Sequence, residues 1–201
     1  MKNKKWLVIC VAVIVLAGCW FWRYTTMNAY YDSLDNTIEI LRQTGEIVPF
    51  GQNKTNEGNV IEGYSIRVDD MEILDFEDFL QTWKIDPEEL NSSPDRVVLV
   101  YITLFNEDSN ESVDLPGLQF HGPDNSVGMN WDILWVLNPE LDGYTGIQLS
   151  HGQAYQVVLP YSLYRRFFGF YTWNNLDDYG WLLRITAWPE QIDIAVTPNA
   201  S

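Results

Sequence analysis

Beyond residue 45 the sequence predicts a mainly β fold, an antiparallel sandwich with one short helical insertion. Three observations point there. Apolar residues recur with period two over several short runs, as in Val98, Val100, Ile102 and Leu104. Clusters of turn-forming residues separate seven or eight such runs. The runs are rich in β-branched and aromatic side chains, and the chain carries 9 Trp, 11 Tyr and 9 Phe in 201 residues. A chain of that length is expected to form one domain with an appendage, and it buries enough surface to fold without metal or disulfide staples.

The appendage comes first, and the chain divides as 1–23 anchor, 24–45 helical stalk and 46–201 β domain. Met1-Lys-Asn-Lys-Lys5 precedes an uncharged run from Trp6 to Trp22, which ends at Arg23. This is the layout of an export signal or signal anchor. Lysines at the N-terminal end stay cytoplasmic by the positive-inside rule, which sends everything after residue 23 across the membrane. Two readings of the segment remain open. Leu16-Ala17-Gly18-Cys19 resembles the lipobox of bacterial lipoproteins, making Cys19 the candidate lipid-attachment residue. The apolar run nevertheless continues through Trp20-Phe21-Trp22, and Trp6 with Trp20 and Trp22 forms the aromatic belts of an uncleaved transmembrane helix. Leu34, Ile38 and Leu41 then fall at i, i+4 and i+7, so residues 24–45 read as a helical stalk ended by Gly45.

In the β domain, Tyr64-Ser-Ile66-Arg-Val68 alternates, and Met71 and Ile73 continue it. Asp75 to Trp83 is the helical insertion, with Phe76, Phe79, Leu80 and Trp83 at helical spacing. Val97–Phe105, Gln153–Leu159, Trp181–Trp188 and Gln191–Val196 are the clearer strands; Leu115–Phe120, Val127–Leu137 and Thr145–Leu149 are weaker ones. Asn106–Asn110, Gly122–Asn125, Asp142-Gly143, His151-Gly152 and Trp188-Pro189-Glu190 supply the turns.

Several segments carry a resemblance: Val48-Pro49-Phe50-Gly51, Glu62-Gly63-Tyr64-Ser65-Ile66, the strand Arg96 to Asn106 ending in Phe-Asn, and Leu159-Pro160-Tyr161-Ser162-Leu163. Together with the lysine-led anchor, they resemble an uncharacterised family of membrane-anchored, telokin-like or immunoglobulin-like extracytoplasmic domains of Gram-positive bacteria. That resemblance implies a β-sandwich outside the cell, and it assigns no catalytic or binding residues.

The chemistry expected from the residues is sparse. After Arg23 the chain holds 28 acidic and eight basic residues, a net charge of −20, which argues against nucleic acid as a partner. Both cysteines, Cys10 and Cys19, precede the β domain, so it has neither a disulfide nor a cysteine nucleophile or metal ligand. His121 and His151 stand alone beside glycines, without the spacing of a zinc helix or a hydrolase triad. Acidic runs at Asp69–Asp78, Asn106–Asp114 and Asn174–Asp178 lack the spacing of a calcium loop, leaving weak calcium binding undecided. No cofactor, metal or catalysis is therefore expected.

Aromatic density is the remaining signal. Tyr161, Tyr164, Phe167, Phe168, Phe170, Tyr171, Trp173, Tyr179, Trp181 and Trp188 crowd one stretch, and Trp131 and Trp135 lie just before it. Most of these serve a core, while Trp131, Trp135, Trp173 and Trp188 are the candidate ligand-binding rings. Strand alternation puts Trp188 on the face opposite Trp181. The sequence thus predicts a non-catalytic, membrane-tethered, extracytoplasmic binding or scaffolding domain. Its expected partner is an envelope or membrane protein; the alternative is a wall glycan stacked on exposed rings.

Overall fold

Alternating apolar residues become long strands wherever both ends can pair. The computed structural model describes residues 13, 15–25, 37–122, 125–141 and 143–198. Two compact units divide at Thr37. In the first, residues 15–25 form helix α1, with Leu16, Trp20, Phe21, Trp22 and Cys19 exposed and Trp20 stacked on Tyr24 at 5.4 Å. Among the described residues no helix is long and apolar enough to cross a membrane. Cys10, Trp6 and much of the expected anchor and stalk lie outside the described residues.

The second unit, Ile38–Ser201, is mainly β, with several sheets, largely antiparallel, and few helices. Strands β3 (Tyr64–Asp75), β4 (Arg96–Asn106) and β9 (Ala154–Leu163), with the short β2 (Val48–Pro49), make a four-stranded sheet in the order β2-β3-β4-β9. Strands β1 (Ile38–Gln43), β6 (Gln119–His121), β7 (Ser126–Val127), β10 (Trp181–Thr186) and β11 (Glu190–Val196) make a five-stranded sheet in the order β1-β11-β10-β6-β7. A third pairing joins β5 (Val113–Asp114) to β8 (Gly146–Ile147).

Period two sends alternate side chains to opposite faces. Val98, Val100, Ile102 and Leu104 of β4 and Val157, Leu159 and Tyr161 of β9 share one core with Trp181, Leu183, Ile185, Ile192 and Ile194 of the other sheet. Rings bridge the two sheets: Phe120 stacks on Tyr161 at 4.8 Å and on Trp181 at 5.0 Å. The other face of β4 puts Val97 and Leu99 against a second core under α2 (Phe76–Trp83) and α3 (Trp131–Leu137), through Phe79 and Ile133. A bulge between Val68 and Asp70 shifts β3 from Tyr64-Ile66-Val68 to Met71-Ile73 without breaking its pairing to β4. Among the described residues, all those of the buried core lie between Val48 and Val196, so this unit holds a core of its own.

Two expectations give way. Residues 38–43, expected at the end of a helical stalk, form β1, a parallel edge strand on β11 with Ile40 opposite Ile192. Pairing with β11 overrides a helical spacing that rested on three residues. The strand expected over Val127–Leu137 is instead β7 followed by α3, because Asn130 caps a helix: its Oδ1 accepts the Ile133 N–H at 3.1 Å. Residues 128–130 pair with Pro160–Ser162 on the outer edge of β9, and helix α3 continues along that edge, where the Asn138 side chain acts as a strand partner. Asn138 Oδ1 accepts the Val158 N–H at 3.0 Å, and its Nδ2 donates to the Val158 carbonyl at 2.9 Å.

Candidate functional site

Strand β9 hands the chain to β10 through a connection, residues 164–180, that holds most of the aromatic cluster. It comprises a 3-10 turn (Arg165–Phe167), one helical turn α4 (Phe170–Trp173) and a second 3-10 turn (Leu176–Asp178). Three of its seven rings, Phe168, Trp173 and Tyr179, anchor it. Phe168 packs 5.9 Å from Trp173 and 6.4 Å from Trp181, Tyr179 lies 5.0 Å from Trp181, and the Trp181 indole N–H donates to the Leu176 carbonyl at 3.0 Å. Gly122 is dictated by this packing, since a Cβ there would sit 2.0 Å from Tyr179 Cε1. Side-chain amides of Asn174 and Asn175 donate to the Phe170 and Tyr171 carbonyls at 2.8 and 2.7 Å and close the turn.

Three others face water, and Tyr164 is half-buried. Phe167, Phe170 and Tyr171 are 60%, 78% and 80% exposed. Arg166 lies over the Phe167 ring at 4.8 Å and over Tyr164 at 5.3 Å. At the base of this loop a groove of about 640 Å³ runs between Tyr164, Phe167 and Phe168 on one side and residues 125–132 on the other. Its floor is polar. Asn130 Nδ2 donates to Ser92 Oγ and Ser162 Oγ, both at 2.9 Å, which leaves each hydroxyl its own proton to donate. Asp132 accepts from Asn91 N and Nδ2 at 3.2 and 3.1 Å.

The four tryptophans singled out from the sequence do not form one row. Trp131 lines the groove and packs partly on the core. Trp135, one turn further along α3, is 37% exposed and does not line it. Trp173 is only 8% exposed, with Arg96 over its ring at 5.2 Å. Trp188, 39% exposed, sits in the turn between β10 and β11, at the end of β10 away from Trp181, with Lys54 5.6 Å from its ring.

Phe167, Phe170 and Tyr171 are the exposed rings that tryptophan counting passes over. Arg165-Arg166 and Gly169, which interrupt the aromatic run, are the signal that marks them as a loop tip.

Several carboxylates of the acidic runs serve the fold. Asp69 accepts from Arg67 and Thr103, both at 2.5 Å, and Asp70 accepts from Met71 N at 2.7 Å. Glu107 accepts from Ser65 at 2.7 Å. Among the described residues no three His, Cys, Asp or Glu side chains converge as a metal site. His121, on β6, has its Nε2 buried without a hydrogen-bond partner; burial first, and then the nearby Arg184 charge, hold its pKa below the ordinary value. His151 lies in the turn before β9, its Nδ1 3.6 Å from Asp108, with both side chains largely exposed.

The family described as Domain of unknown function (DUF5028) matches residues 43–192. The chain belongs to that family. The match runs from the last residue of β1 to the third residue of β11, so the DUF5028 region contains the whole four-stranded sheet, strands β6, β7 and β10 of the other, the groove and the aromatic loop. Among solved structures, the DUF5028 chain is similar to the yjhA protein from Bacillus subtilis at 14% identity. That likeness covers 79% of this chain and 99% of the other, with a TM-score of 0.42. No curated protein matches it.

Proposed function

We propose that this protein is a non-catalytic binding domain, held to the outer face of a membrane by its N-terminal segment, and that the loop 164–171 with its adjoining groove is its contact surface. In this reading the two packed sheets are an immunoglobulin-like or telokin-like sandwich serving as scaffold. One observation carries it: on a base of buried rings the loop holds three exposed ones, of which Phe167 lines a groove of about 640 Å³ while Phe170 and Tyr171 stand beyond it. The net charge of −20 after Arg23 is in this reading a solvated acidic surface.

The outward, tethered placement is supported by the lysine-led apolar N-terminus and by the acidic, cysteine-free region that follows. Either lipidation at Cys19 or an uncleaved helix over residues 6–22 meets this requirement. The test uses the full chain in its own cells, with a photoreactive phenylalanine analogue at Phe167 or, as a control, at Tyr144, which is exposed and does not line the groove. Adducts from position 167 and none from 144 are expected, together with digestion of the domain by protease added to protoplasts. A domain that protease does not reach overturns the orientation; equal silence at both positions overturns the contact surface.

A second reading, wall-glycan binding, draws on the groove floor. Ser92, Ser162 and Asp132 beside Trp131 and Tyr164 pair hydroxyl and carboxylate groups with flat rings, a combination suited to sugars. Co-sedimentation of residues 38–201 with purified cell walls, competed by free oligosaccharide and reduced by Trp131→Ala, is its expected result. A domain that stays in the supernatant rejects it.

A further inference from the structure

The groove does not account for the tip of the loop. Phe170 and Tyr171, the two most exposed rings of the folded unit, are not among its lining residues, so a ligand held there leaves them in water. Beside them stand Arg165 and Arg166, the one adjacent basic pair among the eight basic residues of positions 38–201. Arg67, Arg96 and Arg184 each pair with a carboxylate, whereas among the described residues no carboxylate lies within salt-bridge distance of Arg165 or Arg166. Arg166 is instead held over rings.

Flat rings with guanidinium groups at their edge match the membrane–water interface. There amphipathic rings settle at headgroup level and arginine bonds phosphate oxygens. The same composition closes helix α1, as Trp20-Phe21-Trp22-Arg23-Tyr24, with Trp20, Phe21 and Trp22 exposed.

We infer that Phe167, Phe170 and Tyr171 enter the interface of a phospholipid bilayer while Arg165 and Arg166 bind lipid phosphates, giving the domain a second, peripheral hold on the membrane. This rests on the reading of the loop as the contact surface. Asp177 and Asp178 follow within a few residues and are exposed, so the tip is not a broad cationic patch. The rings therefore supply most of the affinity, and neutral phospholipid suffices. Attachment through the N-terminal segment raises the effective lipid concentration at the loop, so a weak intrinsic affinity is enough.

The experiment floats residues 38–201, which hold a core of their own, with vesicles of phosphatidylcholine alone or with added phosphatidylglycerol. Flotation with both is expected. The variant Phe167→Ser/Phe170→Ser/Tyr171→Ser should lose roughly a thousandfold in partitioning, because each of the three rings is worth about tenfold. Its melting temperature should match the parent, since the three side chains are exposed. Arg165→Gln/Arg166→Gln should weaken flotation several-fold. A parent domain that floats with neither vesicle, or flotation that the ring variant leaves intact, overturns the inference. Absent flotation beside a protein adduct from position 167 assigns the loop a protein partner, overturning lipid contact while the binding-domain reading stands. Flotation combined with a domain that protease cannot reach in protoplasts rejects the outward orientation and keeps the lipid contact.

Discussion

Asn138 offers the sharpest test of how the β9 edge, and with it the groove, is held. Its side chain is 2% exposed and takes the place of a neighbouring strand for Val158, accepting from its N–H and donating to its carbonyl. A third bond, to the Leu134 carbonyl, duplicates one that the Asn138 backbone N–H already makes. Asn138→Ala therefore orphans two backbone groups and no more. Each orphan costs about 1–3 kcal/mol, and the partial exposure of Val158 moves the sum toward the lower half, about 3 kcal/mol. For a domain of this size that is a fall in melting temperature of roughly 6–12 °C. Urea and thermal unfolding of residues 38–201 measure the total, and amide exchange at Val158 localises it. Asn138→Asp keeps the acceptor, loses the donor and buries a charge. It should be as damaging at neutral pH and recover partly on acidification, when the protonated carboxyl again donates to the Val158 carbonyl. A loss below about 1 kcal/mol for Asn138→Ala, or unchanged protection of the Val158 amide, would refute the strand-partner role.

Other sites make independent predictions. His121 has a folded pKa below its unfolded value, so the unfolded chain binds the proton more readily. Its contribution to stability is complete above the unfolded histidine pKa and is lost as pH falls through and below it, and His121→Gln should flatten that region of the melting-temperature profile. Gly122→Ala forces a Cβ into the Tyr179 ring and should cost about 1–3 kcal/mol, with the loop aromatics reporting the shift in near-ultraviolet circular dichroism. Asp193 holds Arg184 through two bonds of 2.9 and 3.1 Å, with both side chains largely buried. Asp193→Ala should destabilise more than the double variant Asp193→Ala/Arg184→Met, because the single change strands a charge; equal losses by urea unfolding would count against that pair.

The long elements were legible because one face of each is uniformly apolar. Strands β3, β4, β9, β10 and β11 and helix α2 stand where the alternation or helical spacing puts them, within a few residues. Strand β1 was not legible, since Ile38 and Leu41 suit a helix equally well and the decision rests with β11, some 150 residues away. Helix α3 was hidden by coincidence: Trp131, Ile133, Trp135 and Leu137 also alternate, and Asn130 was the capping signal that separates the two readings. The Phe-Asn ending of β4 proves structural. Asn106 is buried, donates to the Ser109 and Leu149 carbonyls at 2.9 and 2.7 Å and accepts from Ser109 N at 2.7 Å, which fixes the polar turn that follows. At the site, the sequence located the aromatic stretch but not which rings face out. Exposure there depends on how the connection folds back on Trp181, a tertiary matter that no periodicity encodes.

The parallel pairing of β1 with β11 has a mechanical consequence. The chain enters this strand pair at Ile38, at one end, and β11 leaves it at Val196, at the other. Tension between the two ends of the folded unit thus runs lengthwise along the pair and shears it. All the backbone hydrogen bonds between the two strands carry the load together, whereas antiparallel strands pulled from adjacent ends unzip bond by bond. The unit is built to resist stretching at its point of entry, where a tethered domain would feel a pull first.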